Sequence, residues 1–172
     1  MSWYIVANFE SAEKIEKSIK HILQNHKFFK NLMLSYKIPE QDILHNLRIL
    51  VKDLKGKFAE SNGHQIVLDT KLFSHGLNDF MKNNFHFVAH EFFHWLKRRA
   101  EAMFYFNDFE EVKSFTLAIA WEIMSGRSMQ EIRDKLYPVV SGHFADTEKD
   151  NADELFQKME EEAVKLVREM NA

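Results

Sequence analysis

Residue type and spacing converge on chemistry at His90-Glu91-Phe92-Phe93-His94. On a helix, residues four apart share a face one turn from each other, so His90 and His94 can direct both imidazoles at a single zinc ion. Imidazole nitrogen suits zinc, and a third protein ligand leaves the fourth position for water. Glu91, next to the first histidine, has the reach to take a proton from a water activated by the metal. An HExxH string arises by chance in roughly one chain in twenty of this size and composition, so its surroundings decide. Phe87, Val88, Phe92, Phe93, Trp95 and Leu96 make the segment apolar enough to bury. Burying two imidazoles and a carboxylate there is costly unless something pairs with them. The competing reading is a histidine pair on the solvent side of an amphipathic helix. The chain contains no cysteine, which excludes thiolate zinc sites, iron–sulfur ligation, disulfides and a cysteine nucleophile. Any metal site is built from His, Asp and Glu, and one Zn2+ ion is the expected cofactor. Glu91 and His94 also form an ExxH, half of a di-iron carboxylate site, but a second ExxH is required and the chain has none.

The elements that position these residues follow from patterning. With 172 residues, 45% apolar and 28% charged, the chain has the balance of a globular protein rather than a disordered or collagen-like one. Residues 3–9 read as a short strand or extended lead-in. Ser11 stands as an N-cap, and Ile15, Ile19, Ile22 and Leu23 recur at helical spacing in a helix from 12 to about 33. Pro39 closes that segment, and Pro39-Glu40-Gln41-Asp42 opens another short helical turn. Residues 47–51 and 65–69 are rich in branched side chains and read as strands. Ser61-Asn62-Gly63, following Lys57-Phe58-Ala59, signals a hairpin turn, so a small antiparallel meander is expected. A long helix is expected over 78–103, then a break at Phe106-Asn107-Asp108 with Asp108 as N-cap of a helix over 109–124. Gly126 ends that helix, Ser128 caps the next, which stops near Pro138, and an amphipathic helix over 151–170 packs on the body. No repeat or linker is visible. One α+β domain over 1–172 is expected, its core at about 47–124 and a helical C-terminal extension at about 128–170.

The net charge of −3 and pI near 6.3 give no overall attraction to nucleic acid or an anionic membrane, so neither is expected as a partner. Lys97-Arg98-Arg99, the longest basic run, reads as a solvated helix end. No apolar run approaches the ~18 residues of a membrane span. The first ten residues lack a basic leader and a long apolar region, so the expected location is cytoplasmic, or outside the cell without a classical export signal.

The HExxH helix, preceded by a strand pattern ending at Leu68-Asp69 and followed by a helix with acidic residues, resembles the zincin metallopeptidases. The metzincin branch extends the motif as HExxHxxGxxH. Lys97 and Ala100 stand at the positions of its glycine and third histidine, which excludes that branch. The gluzincin pattern takes a glutamate from the following helix, and Phe109-Glu110-Glu111-Val112-Lys113-Ser114-Phe115 looks like that segment. Residues 64–124 are also similar to the small ImmA/IrrE-like and phage-encoded zincin domains. The resemblance implies a zincin-like α+β fold and a zinc metallopeptidase, a hydrolase of peptide bonds with Glu91 as general base and a peptide or protein as substrate. The alternative is a zinc-binding regulatory or binding module without peptidase activity. Glu111 is favoured as third ligand because it shares a face with Phe115, Ala118 and Ile119. Glu110, on the face of Ser114, Leu117 and Trp121, is the second choice and Glu122 a distant third. An acid in the first turn that binds no metal is stabilised by the helix dipole. Gluzincins stabilise the oxyanion with a downstream His or Tyr, for which His143, Tyr105 and Tyr137 stand as candidates. His86, one turn before His90, is expected in the second shell or pocket wall. The strand over 65–69 resembles the zincin edge strand on which a peptide substrate pairs.

Overall fold

In the computed structural model, described over residues 11–100, 108–145 and 151–171, Ser11 caps the first helix as its sequence position predicts. The Ser11 hydroxyl accepts from the Lys14 amide, and α1 (Ala12–Asn25) buries Ile15, Ile19 and Leu23 along one face. The single helix expected over 12–33 is two helices. His26 takes an extended backbone (φ −76°, ψ 131°), and its Nδ1 accepts from the Phe28 amide at 3.2 Å, starting α2 (Lys27–Ser35). A histidine that ends one helix and caps the next breaks a periodicity that runs through it unchanged. The short α3 (Gln41–Asn46) follows Pro39. The proposed lead-in over 3–9 lies outside the described residues.

Three strands form one sheet: β1 (Arg48–Lys52), β2 (Ala59–Ser61) and β3 (Gln65–Asp69). Their order is β1-β3-β2, with β1 parallel to β3 from Arg48↔Gln65 to Lys52↔Asp69. β2 is antiparallel to β3, Ala59 opposite Leu68 and Ser61 opposite Ile66. The sheet is therefore mixed, not the expected antiparallel meander. The hairpin at 61–64 forms, its Asn62 carboxamide oxygen accepting from the amides of His64 and Gln65. The link from β1 carries the chain past β3 instead of folding it back onto β1. Lys55 (φ 50°) and Gly56 (φ 108°) turn this link through the left-handed region, and the Asp69 carboxylate anchors it by accepting from the Leu54 amide. β3 takes the centre, where Ile66, Val67 and Leu68 are all buried, as a strand covered on both faces requires.

Helix α1 packs on β1, and Glu16 reaches from it to accept the Ile49 amide at 2.7 Å and the Arg48 guanidinium at 3.1 Å. Burial raises the Glu16 pKa, but these donors and the charges of Lys20 and Arg48 outweigh it and hold the carboxyl below its ordinary range. The long helix expected over 78–103 is interrupted. α4 (Leu77–Asn83) stops at Asn84, whose side chain donates to the Leu72 carbonyl, and α5 (His86–Ala100) begins two residues later. α5 packs across β2 and β3.

Residues 1–105 and 106–172 form separate compact units. In the second, α6 (Asp108–Met124), α7 (Met129–His143) and α8 (Ala152–Asn171) pack together, α8 lying on both of the others. Gly126 has φ +84° after α6, and Ser128 and Glu131 form a reciprocal capping box at the start of α7. α7 runs through Pro138 to His143, past the expected stop. Pro138 forfeits one backbone hydrogen bond, yet Ile132, Leu136 and Val140 continue a buried stripe across it. Burial of such side chains stabilises by about 1.5–3 kcal/mol each, enough to offset a proline cost of ~3 kcal/mol. On α8, Phe156, Met159, Ala163 and Val167 are buried, so the amphipathic helix packs as its spacing predicts. No helix among the described residues is long and apolar enough to cross a membrane.

Burial holds the His26 imidazole below its ordinary pKa, and the neutral ring is the form whose Nδ1 can cap α2. The stability this contributes is present in full above the ordinary histidine pKa and lost as pH falls below it toward the folded value. His26→Ala is expected to cost about 1 kcal/mol at pH 7.5, the worth of a helix cap. His26→Asn, which keeps a capping oxygen without a titrating ring, is expected to flatten the loss of thermal stability from pH 7.5 to 5; thermal unfolding followed by circular dichroism checks both.

Candidate metal centre

α5 is apolar on most of its circumference, with Val88, Ala89, Phe92, Phe93, Trp95 and Leu96 buried. The HExxH residues are thereby carried into the interior of the first unit: His94 is 2% and Glu91 8% exposed, and His90 is half-buried. The Nε2 atoms of His90 and His94 lie 3.3 Å apart, their ring planes inclined at 65°. Two nitrogens bound at ~2.0–2.1 Å to one tetrahedral zinc stand about 3.3–3.4 Å apart. The donor pair fits the metal in both atom type and separation.

Glu91 is tied to the sheet. Its Oε2 accepts the Ser61 hydroxyl at 2.7 Å from β2, and the Arg98 guanidinium, two helical turns further along α5, donates to the Ser61 backbone carbonyl. Ser61 escapes sequence reasoning because Ser61-Asn62-Gly63 reads as a turn. Its one signal is the period of two that puts Ala59 and Ser61 on the same face of β2. His86 is 3% exposed, its ring centroid 4.2 Å from that of Phe87, so it is an interior residue of α5. β3 pairs with a strand on each side and cannot be the edge strand expected over 65–69; among the described residues β2 is the edge next to α5.

In the second unit, Glu110 is buried and Glu111 half-buried in the first turns of α6. The Glu111 Oε2 lies 3.5 Å from His143 Nε2 at the end of α7. The His143 ring is held edge-on by Phe115 and Phe144, at 5.3 and 4.9 Å. His143 thus faces a carboxylate. Glu122 is 1% exposed and ion-paired to Lys135 at 3.2 Å and Arg127 at 3.6 Å. These cations neutralise its carboxylate, which takes it out of the ligand choice. The Tyr137 ring packs edge-on against Phe156 with the Arg133 guanidinium over it, a contact of α7 with α8. Tyr105 lies outside the described residues.

Compared with family models, curated proteins and solved structures, the chain matches none. The site therefore rests on its own geometry. After loading with zinc and exhaustive dialysis, elemental analysis is expected to find about one zinc per wild-type chain and none in the His90→Ala/His94→Ala double variant. Glu122→Gln is expected to keep its zinc while losing about 2 kcal/mol of stability, since two cations are left beside a neutral amide and retain partial access to water.

Proposed function

We propose that the chain is a zinc-dependent metallopeptidase in which His90, His94 and Glu111 hold one zinc ion and Glu91 is the general base. The observation that carries this reading is the 3.3 Å separation of the two histidine Nε2 atoms on a buried helix turn that also bears Glu91. Two neutral imidazoles and one carboxylate leave a single positive charge on a bound divalent ion, suited to polarising a carbonyl. When bound, zinc supplies a Lewis acid for the scissile carbonyl and lowers the pKa of water.

The remaining work falls to the side chains. Glu91 takes a proton from the attacking water as its oxygen bonds to the carbonyl carbon, and passes that proton to the amide nitrogen as the C–N bond breaks. An extended peptide pairs with the outer side of β2 through main-chain hydrogen bonds. His143, beside Glu111, orients that carboxylate as an outer partner of the metal. Glu110, the second choice as ligand, is in this reading an acid in the first turns of α6, stabilised by the helix dipole.

Glu91→Gln is expected to retain zinc while hydrolysis of a quenched-fluorescence peptide library falls at least about a hundredfold. Glu111→Ala is expected to lose bound zinc and Glu110→Ala to keep it. Zinc-loaded wild type that cleaves no member of the library would replace the peptidase by a zinc-binding regulatory or binding module.

A further inference from the structure

We infer that Ser61 is a positioning residue that fixes the Glu91 carboxylate for proton transfer, an inference that rests on the peptidase reading above. The hydroxyl-to-carboxylate distance of 2.7 Å is that of a charge-assisted hydrogen bond. Glu91 is 8% exposed, so bulk water does little to orient it, while its side chain has three rotatable bonds. With Oε2 committed to Ser61, Oε1 is the oxygen that takes the proton from water.

Ser61 is itself held at two points by the helix that carries the motif. Its hydroxyl meets Glu91 and its carbonyl meets Arg98, seven residues and two turns further along the same face of α5. The strand register explains why that carbonyl is accessible. The Asp69 amide donates to the Phe58 carbonyl and the Asn62 amide to the Gln65 carbonyl, so alternate residues 58, 60 and 62 turn their main chain toward β3. The main chain of Ala59 and Ser61 turns the other way, to the outer edge of β2. Arg98 takes the Ser61 carbonyl; among the described residues no strand pairs with this side of β2, so an incoming extended peptide would meet the Ala59 N–H, the Ala59 C=O and the Ser61 N–H. The residue that fixes the base therefore also borders the line along which substrate pairs.

The test uses the full chain loaded with zinc and a quenched-fluorescence peptide that the wild type cleaves. Ser61→Ala is expected to lower kcat roughly ten- to a hundredfold with KM and zinc content unchanged, and Ser61→Thr, which restores a hydroxyl, to recover most of that loss. A second readout needs no turnover: thermal unfolding of wild type, S61A, E91Q and the double variant is expected to give Tm shifts that do not add. Additive shifts, or S61A turning over at the wild-type rate, would overturn the inference while leaving the peptidase reading standing. A zinc-loaded wild type that cleaves nothing overturns both the peptidase reading and any part for Ser61 in turnover, and the unfolding cycle then reports only the hydrogen bond.

Discussion

Two imidazoles and a carboxylate on a helix that is otherwise apolar on most of its surface set the constraint around which the first unit is organised. Polar groups removed from water cost several kcal/mol when nothing meets them. The aromatic packing on the same helix makes it hard for α5 to move them back into solvent. Phe92 stacks on Trp95 at 5.4 Å and meets Phe29 of α2 edge-on at 5.2 Å, while Phe29 in turn meets Phe28 and Phe85. The helix is fixed by its hydrophobic contacts, and the polar atoms must find partners where they stand. Ser61 meets Glu91, and the Nε2 atoms of the two histidines stand against each other. Within the sheet, β3 supplies a buried floor and β2 carries the Ser61 hydroxyl that donates to Glu91.

Burial also separates two kinds of acid in the second unit. Glu122 is sealed in and met by two cations, an arrangement that breaks even at best against desolvation and chiefly fixes how α6 and α7 meet. Glu111 is half-buried, and the neighbouring group at 3.5 Å is an imidazole, which has no fixed charge.

Much of this was legible in the sequence where the signal is local. Ser11 and Ser128 as caps, Gly126 as a stop, the strands near 48–52 and 65–69, and the buried face of α8 all follow from short-range chemistry. What was not legible depends on contacts distant in sequence. The helix break at His26 needs a ring that caps only once the backbone has already turned. The run of α7 through Pro138 is decided by packing on α8, against local preference. The order β1-β3-β2 is set by the link over 53–58, because the strand patterns themselves fit either topology. The HExxH string was plain from the start, whereas Ser61 became visible only when register put it opposite α5.

Both outer strands of the sheet have one main-chain group covered by a charged side chain from a helix. On β1, Glu16 accepts the Ile49 N–H; on β2, Arg98 donates to the Ser61 carbonyl. β2 is also only three residues long, with Glu60 exposed at its middle. Unpaired strand edges invite copies of a chain to stack into extended assemblies, and short length, charge and covered polar groups are the usual defences. An acid over a donor on one rim and a guanidinium over an acceptor on the other make the sheet a poor template for its own kind. Among the described residues, each rim of the sheet thus has a main-chain group already engaged by a charged side chain, which interrupts the row of groups a neighbouring strand would need.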